Sequence, residues 1–327
     1  MRHGVGAALL AGSLASALLV SGCSDEKQTP IIPPETEAAT DPPAYDPDLE
    51  AAAAVLALVP EEATALAVTD FDQLRLQLEV PGLTSEDPAR KRAAFWRKVP
   101  TQTAAMTEGL LRPMEARLAK DYGFTQDDVL WEAHFGGEGS EGWVLKFRDD
   151  LDMRGVRRAV EDEVGPLTGA QVAVNERVVG IGTASDTEES WAADDDLPGL
   201  VGQPAVATYV ARDCIPFDDA FGPGVREQLA SGPAHDVAEL DELGPFAVAF
   251  GADLVTARLG AARVDAFARA ALADTLPESE PSFGDGFQRP VADPASGRIG
   301  YAIGDIRVAV ELTIERRLPF AICADAE

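Results

Sequence analysis

The strongest constraint on what this chain can fold into is an order of elements that occurs twice. In the first stretch, Thr64 to Thr69 (TALAVT) reads as a strand and a helical insertion follows it. Then come a hairpin over 130–148, a helix over 151–164 and a strand over 177–183. The second stretch has a strand over 205–211, an irregular insertion, a hairpin over 246–259, a helix over 263–275 and a strand over 298–304. Strands run into Asp70, Asp149, Asp213 and Asp305, and aspartate starts helices by accepting their first free N–H groups. These patterns predict an α+β fold. Helices pack on antiparallel sheet in a duplicated strand–hairpin–helix–strand unit, with a first half over 51–185 and a second over 186–327. The order alone also fits unrelated β–β–α units, which are common.

Local signals fill in the halves. The run AAAAVLALV from Ala51 reads as a short helix ended by Pro60. Ser85-Glu86-Asp87-Pro88 starts a helical stretch interrupted near Pro100 and Pro113 and stopped by Gly123. Thr125-Gln126-Asp127-Asp128 has capping-box form. Met153, Val156, Val160 and Val164 mark one helical face, and Val264, Phe267, Ala268, Ala271 and Leu272 another. Residues 306–314 alternate at period two, as a strand would. Yet Asp305 is a good cap and Ile306, Val310 and Ile314 share a helical face, which favours a helix.

The charge excludes whole classes of partner. Lys and Arg number 27 against 56 Asp and Glu, a formal charge of −29. A nucleic-acid binder needs a basic surface to displace counterions from phosphates, so no nucleic-acid partner is expected.

The N-terminus reads as an address. Arg2 precedes an apolar run from Val5 to Val20 that is too short and too rich in small residues for a good spanning helix. It ends Val20-Ser21-Gly22-Cys23. An apolar residue, two small residues and a cysteine resemble the lipobox of bacterial lipoproteins. The resemblance covers residues 1–23 only. It implies a signal peptide over 1–22, removed before Cys23, and lipid attachment (diacylglycerol, palmitate-class chains) through the Cys23 thiol. It also implies residence on the extracytoplasmic face of the cell membrane, anchored by lipid. Residues 23–50 then form a tether. From Ser24 onward it holds six prolines and eight acidic residues, a composition that stays extended, with a reach of about 80 Å.

With Cys23 assigned to lipid, Cys214 and Cys323 are the two thiols that remain. In an oxidising compartment they are expected to form a disulfide.

Catalytic and metal signals are weak. His134 falls on the strand face of Glu132, opposite Trp131 and Phe135, and is expected to be solvated. No Cys/His ligand spacing exists, and Asp194-Asp195-Asp196 lacks the alternating ligands of a calcium loop. Ser231 near His235 is no triad by proximity, and Gly180-Ile181-Gly182 is an incomplete dinucleotide fingerprint. No catalytic residue, metal or cofactor is therefore expected. Trp191, in the acidic segment TEESWAADDDLPG, is the best single candidate for a surface contact.

The function expected is a non-enzymatic binding or scaffold module of the cell envelope, with an envelope protein or cell-wall component as partner. The alternative is a carboxylate-dependent enzyme acting on cell-wall or carbohydrate substrates, since paired acids leave no mark in so acidic a sequence.

Overall fold

Side chains on a strand alternate between faces, so an antiparallel sheet grows by stacking rows of residues that face one way. In the computed structural model, which describes residues 44–137, 140–222, 240–275 and 281–324, ten strands build one such sheet. They are β1 (Ala65–Asp70), β2 (Val129–Gly137), β3 (Ser140–Phe147), β4 (Gln171–Ala173), β5 (Val178–Ile181), β6 (Ala207–Ala211), β7 (Phe246–Phe250), β8 (Leu254–Arg258), β9 (Phe287–Asp293) and β10 (Arg298–Ile303). Their spatial order is β4-β5-β3-β2-β1-β6-β7-β8-β10-β9, and every pairing is antiparallel.

From the middle outward, both halves read alike: β1-β2-β3-β5-β4 on one side and β6-β7-β8-β10-β9 on the other. The first strands of the two halves, β1 and β6, pair in the centre with Ala67 opposite Tyr209. The registers match as well. The row Val68–Ala133–Val144–Gly180 crosses the first half, and Val210–Ala247–Arg258–Arg298 crosses the second at equivalent places. The fold is thus α+β with a duplicated unit, and the described residues form one compact body.

The helices α1 (Ala51–Ala54), α2 (Phe71–Gln77), α3 (Ala89–Gln102), α4 (Glu115–Asp121), α5 (Met153–Glu161), α6 (Leu197–Leu200), α7 (Phe217–Phe221), α8 (Ala266–Thr275), α9 (Phe283–Gly286) and α10 (Ile306–Ile314) fill the connections. Asp70 caps α2, accepting from the backbone N–H of Asp72 and Gln73, each at 2.9 Å. Asp152 and Asp305 cap α5 and α10 in the same way. The caps settle the ambiguous tail as a helix. Pro100 lies within α3, in its last turn, and Thr101 and Gln102 still follow it before the helix ends.

One sheet face carries the main core. Leu145, Phe147, Tyr209, Phe246, Val248 and Phe250 meet side chains of α2, α3, α5, α8 and α10 there. The other face is covered over the first half by α1, the 3-10 turn Val55–Leu58 and the segment 191–200. Cross-strand partners Phe135 and Gly142 sit on it, and a Cβ on Gly142 would lie 2.2 Å from the Phe135 ring. Glycine here lets the aromatic ring lie flat against the sheet.

Two expectations change. Residues 44–50, expected to belong to the tether, are described, and Tyr45 packs against the covered face. At and just before α8 most of the expected apolar face is not the buried one: Val264 is 78% and Phe267 64% exposed, while Leu272 is buried as expected and Arg269 is buried beside it. Arg269 is held by Asp265 at 2.6 Å and by the carbonyls of Phe320, Ile322 and Asp241. A charge that finds this many partners replaces an apolar side chain without a large penalty.

Candidate functional site

Cys214 lies just beyond β6 and Cys323 near the chain end, and they are joined: the Cα atoms are 4.9 Å apart and the bond closes a separation of 109 residues. Backbone bonds reinforce it, from Ile215 N–H to the Ala321 carbonyl at 2.8 Å and from Cys323 N–H to the Ile215 carbonyl at 3.0 Å. Cys23, Ser231 and His235 lie outside the described residues.

The first half buries a network of acids on its helix side. Asp127 accepts from Arg92 Nη1 and Trp96 Nε1, each at 2.8 Å. Asp128 accepts from Ser85 Oγ at 3.0 Å and Arg148 Nε at 2.9 Å. Glu132, fully buried on β2, accepts from Thr107 Oγ1 (2.5 Å), Leu110 N–H (3.0 Å) and Gln126 Nε2 (2.9 Å), with His134 Nε2 at 2.7 Å. His134 is half-buried beside it, on the face that strand parity assigned. Each carboxylate is saturated with donors that tie the helical insertion to the sheet. Such an acceptor positions structure and is poorly placed to take a substrate's proton. Among the described residues, no three His, Cys, Asp or Glu side chains gather as a metal ion would require.

Trp191 is not a surface residue. It is 0% exposed, and its Nε1 donates to the Ala63 carbonyl at 3.1 Å. Its own backbone N–H donates to the Val59 carbonyl at 2.9 Å. The acidic segment around it folds back on the N-terminal turns, so the ring that looked stranded in sequence caps the covered face of the first half.

That cover stops partway across the sheet. It reaches Ala247 on β7. Beyond it the outer face of the second half carries small residues, with Ala249, Thr256, Gly300 and Ala302 only partly buried and Leu254 and Val291 exposed. At the margin lies a cleft of about 600 Å³, lined by Asp195, Asp196, Leu200, Arg258, Arg263 and Arg298 among others. Glycines and a proline (Gly199, Gly244, Pro245, Gly260) supply much of the remaining wall, leaving backbone within reach of anything bound there.

The electrostatics of this cleft are unusual for so acidic a protein. Arg258 and Arg298 are cross-strand partners, so their side chains share a face. Arg258 is only 6% exposed, and its Nη2 is buried with no hydrogen-bond partner among the described residues. Burial, then the Arg298 charge, push its guanidinium below the usual arginine range. Arg263 is committed, bound to Asp265 at 2.9 Å and to the carbonyls of Asp241 and Glu242. Asp194 is committed too, to Arg212 at 3.3 Å. Asp195 and Asp196 are exposed, and neither carboxylate has a partner among the described residues. Sequence reading missed Arg258 and Arg298. The available signal was an arginine ending one strand and another opening a later one, and only the sheet register makes them neighbours.

A second cavity, of about 280 Å³, opens between α8, α9 and β10, lined by Phe283, Phe287 and Tyr301 among others. Phe283 and Phe287 stack at 4.6 Å, and the ring edges of Tyr301 meet both, as in an aromatic core.

Compared with protein-family models, with curated proteins and with solved structures, the chain finds no match.

Proposed function

We propose that this protein is a lipid-anchored binding module of a bacterial cell envelope. It is held by Cys23 on the extracytoplasmic face of the membrane, and its ligand enters the cleft at the uncovered half of the sheet. Three features support the reading. Val20-Ser21-Gly22-Cys23 has the form of a lipidation site. The Cys214–Cys323 disulfide suits an oxidising compartment. The observation that carries the binding role is the buried arginine left without a counter-charge in an open cleft. Seven buried side-chain polar atoms lack a partner among the described residues; Arg258 Nη2 is set apart by its place in the wall of an open cleft, where a ligand can supply the missing acceptor. Two acyl chains on Cys23 would give stable anchorage. None of the described helices is long and apolar enough to cross a membrane, so retention rests on that anchor.

Metabolic labelling with a fatty acid tests the reading. The wild type takes up label and partitions into detergent, whereas Cys23→Ala loses the label and is released or mis-processed. Wild-type protein that never takes up label overturns the anchored reading. In-cell crosslinking of the anchored protein then identifies what it holds.

A further inference from the structure

Arg258 admits a plain structural explanation: its aliphatic stem shields the sheet beside Ala247. A stem used that way keeps its charged head in water. Here one nitrogen of the head, Nη2, is buried at the wall of the cleft with no partner among the described residues. Arg298 stands beside it on the same sheet face, half-buried, and makes no ion pair among the described residues, although the carboxylate of Asp293, its partner on β9, lies near enough to be influenced by its charge. Two guanidinium groups on neighbouring positions of one sheet face, lining one cleft, can both donate to an anion with two oxygens on one centre. The same cleft is lined by two carboxylates, Asp195 and Asp196, that are likewise unpaired. A multiply charged anion filling the cleft would meet them unfavourably. A ligand carrying a carboxylate and, a few bonds away, an ammonium group satisfies both sets of charges. The glycine-lined walls admit a small backbone, and Leu200, Pro245, Leu259 and Ala261 supply only short apolar surface beside it.

We infer that the cleft binds a small zwitterion, an amino acid or the end of a short peptide, with its carboxylate on Arg258 and Arg298 and its ammonium towards Asp195 and Asp196. This names the ligand class of the binding module proposed above and rests on that reading only for its setting, since binding does not require the anchor.

The test is calorimetric titration of the full-length protein in detergent with alanine, alanylalanine, alanylalanine amide, N-acetyl-alanylalanine and inorganic phosphate. Alanine or alanylalanine binds, and the tighter of the two tells a free amino acid from a peptide end. Amidation of the carboxylate lowers affinity by about tenfold or more, the scale of a charge-assisted bond. Arg298→Gln, at a half-buried position that should tolerate the change, produces the same loss, as does Arg258→Gln. N-acetylation weakens binding to the wild type but not to the double variant Asp195→Asn/Asp196→Asn. If neither alanine nor alanylalanine binds, if phosphate binds more tightly than both, or if Arg298→Gln binds like the wild type with its melting temperature unchanged, the inference is wrong. Fatty-acid labelling separates these failures from failure of the anchored reading, because it does not depend on the cleft.

Discussion

Val144 and Arg258 occupy the same place in the two halves of one sheet, and their fates differ. Val144 follows Ala133 in its row and precedes Gly180, under a cover that runs from Val55 to Trp191. Arg258 follows Ala247 and precedes Arg298, where the cover ends. The helix side is exchanged in the opposite sense. Register equates Glu132, the hub of the buried acid network, with Phe246 in an aromatic core. One backbone plan therefore carries two divisions of labour. The first half spends its polar groups on holding an insertion and closes its outer face. The second packs aromatics inside, beside the buried Arg269–Asp265 pair, and leaves Arg258 and Arg298 on its outer face. Duplicated units can diverge in this way because topology is set by strand rows and caps, while each face needs only something compatible to cover it.

Exchanging residues between equivalent places should break the comparison most visibly. Val144→Arg puts an unpaired charge beneath the cover of the first half, and a loss of more than about 4 kcal/mol, read by denaturant unfolding, is expected. A loss below about 1 kcal/mol would mean that the outer face of the first half is no more closed than that of the second.

The disulfide comes next. It ties the start of the second half to the chain end, across 109 residues. Reduction should cost about 4–5 kcal/mol in the chain-entropy picture. Both thiols should resist alkylation in the denatured, unreduced protein, so free thiol there would rule the bond out.

Cover is tested by truncation. Trp191→Ala should cost about 3–5 kcal/mol, as for other buried aromatics. Leu254→Ala, on the open face of the second half, should change stability by less than about 0.5 kcal/mol. Equal effects at the two positions would erase the distinction between the faces.

A pH-dependent effect belongs to Asp70, whose equivalent in the second half is Arg212. Burial pushes the Asp70 carboxyl from 3.8 up to about 6, against the lowering effect of its cap bonds to Gln73 and Asp72. A raised folded-state value means that folding favours the protonated form. Its contribution is full below about pH 4 and is lost as pH rises through about 6. Asp70→Asn keeps a cap without the charge, so it should flatten the stability–pH curve in that window. An unchanged slope would show that Asp70 titrates as an ordinary carboxylate.

Much of the fold was legible in the sequence because its signals are local. Period-two runs, the glycine-rich hairpin turn after Phe135, and the strand-end aspartates Asp70 and Asp305 help place the two copies of the unit, whereas Asp149 and Asp213 cap no helix; the Cys214–Cys323 pairing followed from counting. What sequence concealed depends on residues far apart along the chain. Trp191 looked exposed because its neighbours are acidic, and its partners Val59 and Ala63 lie more than a hundred positions away. Arg269 broke an apolar helical face because its acceptors, Phe320 and Ile322, arrive at the chain end. Arg258 and Arg298 meet only through the register of β8 with β10, so the cleft could not be seen before the sheet was.

Equilibrium unfolding of Arg258→Val, which installs in the second half the residue that the first half carries, tests the division of labour most directly. An arginine kept for a ligand leaves a buried donor unsatisfied in the empty protein, at a cost of about 1–3 kcal/mol. The ligand-free variant should therefore be more stable than the wild type by about that amount. A variant less stable than the wild type would show that Arg258 holds the sheet together, and would contradict its assignment to a ligand.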